Sequence, residues 1–568
     1  MRILLISTVL NSLTQRIYCE TKEMGHQVSV QFAINDETML SAVQSFSPDM
    51  IICPFLTRFI PATIYEAVPT FIIHPGIRGD KGAYSLDHAV LEGKERWGVT
   101  VIRANGEFDG GDIWASEEFT MRQTKKASLY RREVNMAASK AVRGLLVKIE
   151  KDQVEPVKQL PTPMHKAVTQ DDRCIDWEHD TTEKIITKIN AADSYPGLLD
   201  NLMGIDCYLF GAHKEDLSSD EKMREASKKI GVKEIFAKRD GAVCIKTIDG
   251  AVWISHLKET GRFKLPSTYV LKDRLKGVKE HRIPLFIEEK RETFYEIFLE
   301  RKGEVAYLYF DFHNGAFSSE QSIRLKYAVE TIQKECKVLV LMGGSEFFSN
   351  GIHLNILEDS KKVGEDGWSN INAMNDMVRS VLLTDDILTI AAIRGGAGAG
   401  GLFLGLACDY VVAREGVVLN PHYKSIALSG SEFHTYTLPK RVGEKQAAQL
   451  LDDALPVSAA QAKTMGLVDR VFSEEWTHFS RELDTFAQQL TADEEAWYDL
   501  LEAKRDRLEQ DEHRILSCHK EELDTMYPEF WEVSAPFHQL RKEFVYKQCP
   551  TSTPERLIYK GEKCMNTA

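Results

Sequence analysis

His74 ends the apolar run Phe71-Ile72-Ile73 and is followed at once by Pro75-Gly76-Ile77-Arg78-Gly79-Asp80-Lys81-Gly82, a turn by composition. Further along, Phe108-Asp109-Gly110-Gly111-Asp112 forms a second turn that runs into Ile113. A histidine and an aspartate delivered by two strand ends can act as a general base or acid and its orienting carboxylate. Taken alone, the same residues read more simply as a surface histidine and a turn aspartate, each common by itself. In the second half of the chain, Arg394-Gly395-Gly396-Ala397-Gly398-Ala399-Gly400-Gly401 precedes the apolar stretch Leu402–Cys408. Glycines before a helix let backbone N–H groups approach a ligand oxygen closely. No Lys-Ser/Thr follows, which rules out a Walker A loop, and no Gly-x-Gly-x-x-Gly follows the first strand, which argues against a dinucleotide site.

The elements that must position these groups follow from periodicity. Strands are expected at Met1–Val9, Val28–Phe32, Pro48–Pro54, Thr70–Ile73, Val99–Arg103 and Asp112–Phe119, with helices from Ser12 and over Leu86–Glu92. That alternation predicts a parallel sheet wound on both faces, and His74 then stands beyond a strand's carboxyl end, where such sheets bind ligands. Glu155 to Pro163 reads as a linker by its prolines. A helix over Thr182–Asn190 is followed by short strands at Ile205–Phe210, Ile235–Arg239, Val243–Thr247 and Ala251–Leu257, spacing that suits a small barrel. Glu215–Lys229 reads as a solvated insertion or helix, and Lys264 to Pro284 as a second linker. Strands at Gly303–Phe310, Lys337–Leu341 and Ile387–Ile393 and a helix over Ser318–Thr331 come next. Glu494–Leu523 and Phe530–Val545 are helical by periodicity, and the polar tail from Thr551 is expected to be loose.

At 568 residues the chain predicts two to four domains. The division read here is 1–160, 161–285, 286–490 and 491–568. Hydrophobic residues at 43% and charged residues at 27% are ordinary for a globular protein. No apolar run approaches the ~18 residues a membrane span needs, and Met1–Ser7 reads as a first strand, not a signal peptide. The 10 cysteines include no CxxC and no His/Cys cluster, so neither a disulfide framework nor a metal site is expected, and the reducing cytoplasm is the expected location. A formal charge of −14 argues against non-specific nucleic-acid binding.

His74-Pro75 after its strand, then Trp97-Gly98-Val99-Thr100-Val101, then Asp109-Gly110-Gly111-Asp112 resemble the 10-formyltetrahydrofolate-dependent formyltransferases. Their pattern is Asn-x-His, Thr-Gly-Val-Thr, Asp-x-Gly, and Ile72 stands here at the Asn position. The resemblance implies His74 as general base or acid, Asp109 as its orienting partner and Asp112 as a secondary carboxylate. It implies a pterin pocket at Pro54–Pro61, with Thr57, Arg58, Phe59 and Ile60. Without it, that loop reads as a plain strand-to-helix connection. Arg173-Cys174-Ile175-Asp176-Trp177 to Ser194-Tyr195-Pro196 is similar to the C-terminal β-barrel domain of methionyl-tRNA formyltransferase, with Ser194 and Tyr195 as candidate ligand contacts or simple turn residues.

Residues 286–490 resemble the enoyl-CoA hydratase/isomerase (crotonase) superfamily through Phe348-Ser349-Asn350-Gly351, the Gly-rich turn ending in Cys408-Asp409, and Pro456-Val457-Ser458 to Val468-Asp469. The resemblance implies coenzyme A binding and an oxyanion hole from the N–H groups of Ile352 and Gly400. The two hydratase glutamates fall on Phe403 and His422, so hydration is not expected and the pocket is expected to be dry. Tyr423 and Glu432 remain as acid/base candidates, although Glu432 also reads as an exposed carboxylate at a helix start. The order of the parts, together with His-Pro-Gly-Ile-Arg-Gly-Asp-Lys-Gly, resembles the HypX/HoxX maturation factors of NiFe hydrogenases. The expected fold is therefore α/β multidomain: a formyltransferase-like doubly wound sheet, a small β-barrel, and a crotonase-like ββα spiral with C-terminal helices. The resemblance implies formyl transfer from 10-formyltetrahydrofolate to coenzyme A, then decarbonylation of formyl-CoA to the CO ligand of the hydrogenase iron, beside other maturation proteins. Two alternatives remain open: a formyltransferase with another acceptor, and a non-catalytic scaffold or carrier for hydrogenase assembly.

Overall fold

The computed structural model describes residues 1–286 and 291–561. It divides into two compact units: residues 1–212 with 247–249 and the segment from Cys549, and residues 213–246 with 250–548. Among the described residues no helix is long and apolar enough to cross a membrane.

The first unit is built on a six-stranded sheet in the order Gln27–Phe32, Arg2–Ser7, Met50–Cys53, Thr70–His74, Arg96–Arg103, Ile113–Thr120. The first four strands are parallel. Their near-continuous apolar runs, such as Ile3-Leu4-Leu5-Ile6, follow from being covered on both faces. Leu4, Ile6, Ile51 and Cys53 pack on Met39, Val43 and Phe46 of the helix Asp36–Phe46, while Ser12–Glu23 and Asn135–Glu150 pack on each other and on the sheet. The wholly parallel sheet expected from sequence is corrected here: Thr70–His74 pairs antiparallel with Arg96–Arg103, which pairs antiparallel with Ile113–Thr120. The turn of residues 104–112 is a hairpin, and a hairpin admits only antiparallel neighbours. Gly111 is required in that turn, because a Cβ there would lie 1.8 Å from the Arg103 carbonyl oxygen.

Two segments expected to be loose are tied down. The stretch 155–163 does not behave as a linker: Val157 bridges Ile113 and Gln159 accepts from Gly79 N at 2.8 Å. The tail is ordered up to residue 561, with residues 562–568 outside the described residues. Leu557 is buried, Thr553 Oγ1 accepts from Phe32 N at 2.9 Å, and Tyr559 meets Phe46 edge-on at 5.8 Å. Unpaired N–H groups of the edge strand Gln27–Phe32 supply the reason, since an edge strand is satisfied by whatever covers it.

The second unit begins with a small antiparallel meander, Ile235–Arg239, Ala242–Lys246 and Ala251–Glu259, around the fully buried Trp253. The expected linker from Lys264 belongs to it: Leu265–Pro266 adds to the last strand, Lys279–Glu280 adds to the first, and the helix Ser267–Leu271 buries Leu271. Glu215, in the expected solvated stretch, is buried and accepts hydrogen bonds from Trp253 and Thr293.

The rest of this unit repeats one motif. A long strand crosses the main sheet, a short strand joins a second sheet, and a helix returns. The main sheet runs Ile297–Lys302, Val305–Phe310, Val338–Gly343, Leu388–Ile393, Tyr410–Arg414, Arg470–Phe472; the short sheet runs Phe347–Ser349, Gly396–Gly398, Val418–Asn420, Val457–Ser458. This is a ββα spiral. The helix Glu494–Trp531 lies against it through Lys504, which bonds Asp409 Oδ2 at 2.7 Å and the Ile387 carbonyl at 2.8 Å. That helix continues past its expected end to Trp531, with Pro528 inside its last turn.

Candidate functional site

Each unit carries one candidate site. In the first, His74 is the last residue of its strand and is buried. Its Nε2 lies 2.6 Å from Asp80 Oδ2. Asp80 also accepts from Ser85 Oγ at 2.6 Å and lies 2.7 Å from His165 Nε2. Burial by itself raises the Asp80 carboxyl, but the hydrogen bonds from His74 and Ser85 and the two imidazoles hold it below the usual carboxylate range. An ionised carboxylate can only accept, so Nε2 donates in this bond, and the other ring nitrogen is Nδ1. Asp109 Oδ2 sits 3.5 Å from that Nδ1, is held by Gly82 N at 3.0 Å, and belongs to a residue in the left-handed region, φ 50°.

The structure therefore brings His74 and Asp109 together as the sequence pairs them, and adds a nearer partner. Asp80 was not singled out from sequence, although it stands in the quoted turn motif. Its signal was an acidic residue six positions after the histidine across a Gly-rich turn. Gly76 is why the turn can close: a Cβ there would lie 2.2 Å from Asp80 Oδ2 and 2.3 Å from His74 Nε2. His165 had no local signal. It arrives on the strap of residues 155–165, through His165 N to the Lys81 carbonyl at 2.9 Å. Asp112 is exposed, and its carbonyl accepts from Arg103 N at 2.9 Å. Thr100, directly across from His74, is buried with an unpartnered hydroxyl. Ile72, on the same strand face as His74, packs into the apolar cluster of Ile51, Cys53 and Ile60.

The loop of residues 54–60 leaves the end of Met50–Cys53, beside Arg2–Ser7. Strand order reverses between these two strands, and a crevice opens at that point in sheets of this kind. Thr8 N donates to the Phe55 carbonyl at 2.8 Å and Thr57 N to Thr8 Oγ1 at 2.9 Å. Thr57, Arg58 and Phe59 are exposed while Ile60 is buried. Phe59 and Phe108 face each other with ring centres 6.3 Å apart and remain half exposed. Two half-exposed rings beside that crevice fit a flat heteroaromatic ligand. Ser194 is partly buried and Tyr195 is 71% exposed, its carbonyl held by Lys126 Nζ at 2.9 Å.

In the second unit, Gly400 opens the helix Gly400–Leu406, and Gly351-Ile352 lies beside it: a Cβ on Gly351 would be 3.2 Å from Gly400 N. Above them, a Cβ on Gly400 would meet the Glu432 carboxyl at 2.6 Å. Glu432 is buried, not an exposed helix-start carboxylate, and it accepts a hydrogen bond from Tyr423 Oη. Burial raises the Glu432 carboxyl above the ordinary range; the bond from Tyr423 opposes the rise and the nearby Glu522 adds to it. Burial likewise pushes the Tyr423 phenol far up. Phe403 is fully buried and stacks on Tyr423 at 5.3 Å and 10°. His422 is partly buried, with Nδ1 3.0 Å from Ser425 Oγ. The arrangement offers two backbone N–H groups on adjacent loops, a proton-bearing Tyr–Glu pair, and a phenyl wall with no group to hydrogen-bond water.

Residues 17–144 match the formyl transferase family, 167–274 the formyl transferase C-terminal domain, and 300–526 the enoyl-CoA hydratase/isomerase family. Over 566 residues the chain is 38% identical to the hydrogenase maturation factor HoxX of Bradyrhizobium diazoefficiens, covering 98% of this chain and 96% of that one. The crystal structure of HypX from Aquifex aeolicus in complex with tetrahydrofolic acid is similar at a TM-score of 0.93 and 39% identity, over 98% of both chains. The chain belongs to the HypX/HoxX family of hydrogenase maturation factors.

Proposed function

We propose that this protein transfers the formyl group of 10-formyltetrahydrofolate to coenzyme A in its first unit and releases carbon monoxide from formyl-CoA in its second, supplying the CO ligand of a NiFe-hydrogenase iron in the cytoplasm. The observation that carries the reading is the joining, in one chain, of the His74–Asp80–Asp109 site to a second site where Phe403 stacks on Tyr423, Phe403 and His422 standing where the crotonase resemblance puts the hydratase glutamates. The folate half of the reading also draws on the tetrahydrofolate complex of the Aquifex protein.

In the first step, sulfur attacks the formyl carbon, the bond to N10 breaks, and the thiol proton passes to N10. His74 is suited to carry that proton on Nδ1, with Asp109 beside it. Thr57, Arg58, Phe59 and Ile60 would receive the pterin. Ile72 brings no hydrogen bond to the formyl oxygen, a loss offset by the greater nucleophilicity of a thiolate over an amine. In the second step, the formyl C–H proton is removed, the C–S electron pair leaves on sulfur, and sulfur is protonated, giving CO and the free thiol. The N–H groups of Ile352 and Gly400 would polarise the carbonyl, and Glu432 with Tyr423 would handle the proton. Water is the competitor, because its attack yields formate.

The test uses isotope-labelled 10-formyltetrahydrofolate and CoA under anaerobic conditions, with gas trapped by a haem protein. Labelled CO is expected from the wild type. His74→Ala should slow tetrahydrofolate release by ~10²–10⁴. Labelled formate alone from the wild type would end the decarbonylase reading, and an undiminished His74→Ala would end the assignment of the base.

A further inference from the structure

The turn carrying Glu432 is held in place by a helix outside the spiral. Glu432 and Phe433 both adopt left-handed backbone, φ 63° and 59°. Consecutive non-glycine residues in that region persist only where the surroundings over-determine them. Three amides of the turn are satisfied by side chains of two other helices. Asn375 Oδ1, on Val363–Leu382, accepts from Glu432 N at 2.8 Å. Glu522, on Glu494–Trp531, accepts from Phe433 N at 2.9 Å through Oε2 and from Thr435 N at 2.8 Å through Oε1. The same Oε1 accepts from Thr435 Oγ1 at 2.6 Å and lies 3.2 Å from His434 Nδ1. The Glu522 side chain is fully buried. One helical turn earlier, His519 stacks on the Phe433 ring at 4.7 Å and 16°.

We propose that Glu522 is a positioning residue of the second site, its carboxylate clamping the left-handed turn so that Glu432 stays against Tyr423 and over Gly400. This rests on the reading of Glu432 and Tyr423 as the proton-handling pair. Without the clamp, Phe433 and Thr435 would face a buried space with unpaired N–H groups, and the turn would relax toward ordinary backbone, carrying the carboxyl away from the oxyanion loops. The clamp gives the C-terminal helix a role at this site in addition to the Lys504–Asp409 bond that ties it to the spiral. The charged and titratable groups around Glu432 are Tyr423 from the turn Tyr423–Ile426, His434 from His434–Val442, and Glu522 from the long helix. Behind Phe433, His519 faces Asp376 and Arg379 of Val363–Leu382. Among these, Glu522 acts on Glu432 as a like charge, so neutralising it moves the limb governed by Glu432 to lower pH.

Formyl-CoA is supplied to the full-length protein and CO release is followed across pH for the wild type, Glu432→Gln, Glu522→Gln and Glu522→Asp. Glu522→Gln should lose about tenfold or more in rate and shift the acid limb to lower pH. Glu522→Asp, which keeps the charge on a shorter arm, should lose rate with the limb unmoved. A wild-type profile in Glu522→Gln, or a uniform loss with a lower Tm and no shift of the limb, overturns the clamp. If Glu432→Gln still releases CO, the proton assignment has failed instead. The infrared band of the Glu432 carboxyl, isolated by subtracting Glu432→Gln, then decides the clamp alone: its titration moves to lower pH in Glu522→Gln, or the inference is wrong.

Discussion

Asp80→Asn tests the arrangement of the first site most directly. The substitution keeps shape and volume at a buried position whose carboxyl oxygens lie 2.6 Å from His74 Nε2, 2.6 Å from Ser85 Oγ and 2.7 Å from His165 Nε2. It removes the charge and turns one acceptor into a donor that meets an N–H or O–H. A charge-assisted hydrogen bond of this kind contributes about 1.5–3 kcal/mol, and each 1.4 kcal/mol is a factor of ten in rate. The expected loss is therefore ~10–10² in formyl transfer, smaller than for loss of the base itself. The His74 ring should lose its fixed orientation, with Asp109 at 3.5 Å as the remaining carboxylate. The assay is tetrahydrofolate release with saturating 10-formyltetrahydrofolate and CoA, alongside the imidazole nitrogen resonances of His74. The sign of the stability effect is fixed as well. The folded carboxyl is depressed, so its contribution is present above the unfolded value near ~3.9 and fades as pH falls through the folded value. Asp80→Asn should thus narrow the stability gap between neutral and acid pH. An Asn variant with wild-type rate and an unchanged His74 nitrogen spectrum would refute the view that Asp80 orients the ring.

Gly400→Val should weaken acyl-CoA affinity in the full-length protein, because its Cβ would lie 2.6 Å from the Glu432 carboxyl and the branch would block the N–H; calorimetry showing unchanged affinity counts against the oxyanion site. Losing one such donor should also cut CO release by ~10²–10³. Phe403→Glu, at a buried position stacked on Tyr423, should shift product from CO toward formate by bringing a water-binding carboxylate into the pocket, and an unchanged ratio of the two labelled products speaks against the dry-site argument. Asp409→Ala should destabilise the second unit by about 3–5 kcal/mol in denaturant melts, since it strands the buried Lys504; a loss under ~1 kcal/mol would mean the pair is not buried in solution.

Local sequence was enough for much of this protein. Apolar runs of four to six residues gave the strands of the first sheet, and the Gly-rich turn at Gly400 and the histidine at a strand end could be read as sites without any coordinates, because both depend on residues that are neighbours in the chain. The departures Ile72, Phe403 and His422 were equally legible, and the last two already argued against simple hydration. Strand direction was not legible, since alternation marks a strand but not the sense of its partner: the antiparallel edge at Arg96–Arg103 and Ile113–Thr120 needed the hairpin to be seen. Nor were the partners that arrive from far away. His165 reaches Asp80 across 85 positions, and Glu522 reaches Phe433 across 89. The stretch 155–163 read as a linker because of its prolines and the tail from Thr551 as loose because it is polar, yet side chains of both accept from backbone amides of a site loop and a sheet edge. Composition reports what a segment can bury by itself; only the folded chain decides which buried groups elsewhere need its hydrogen bonds.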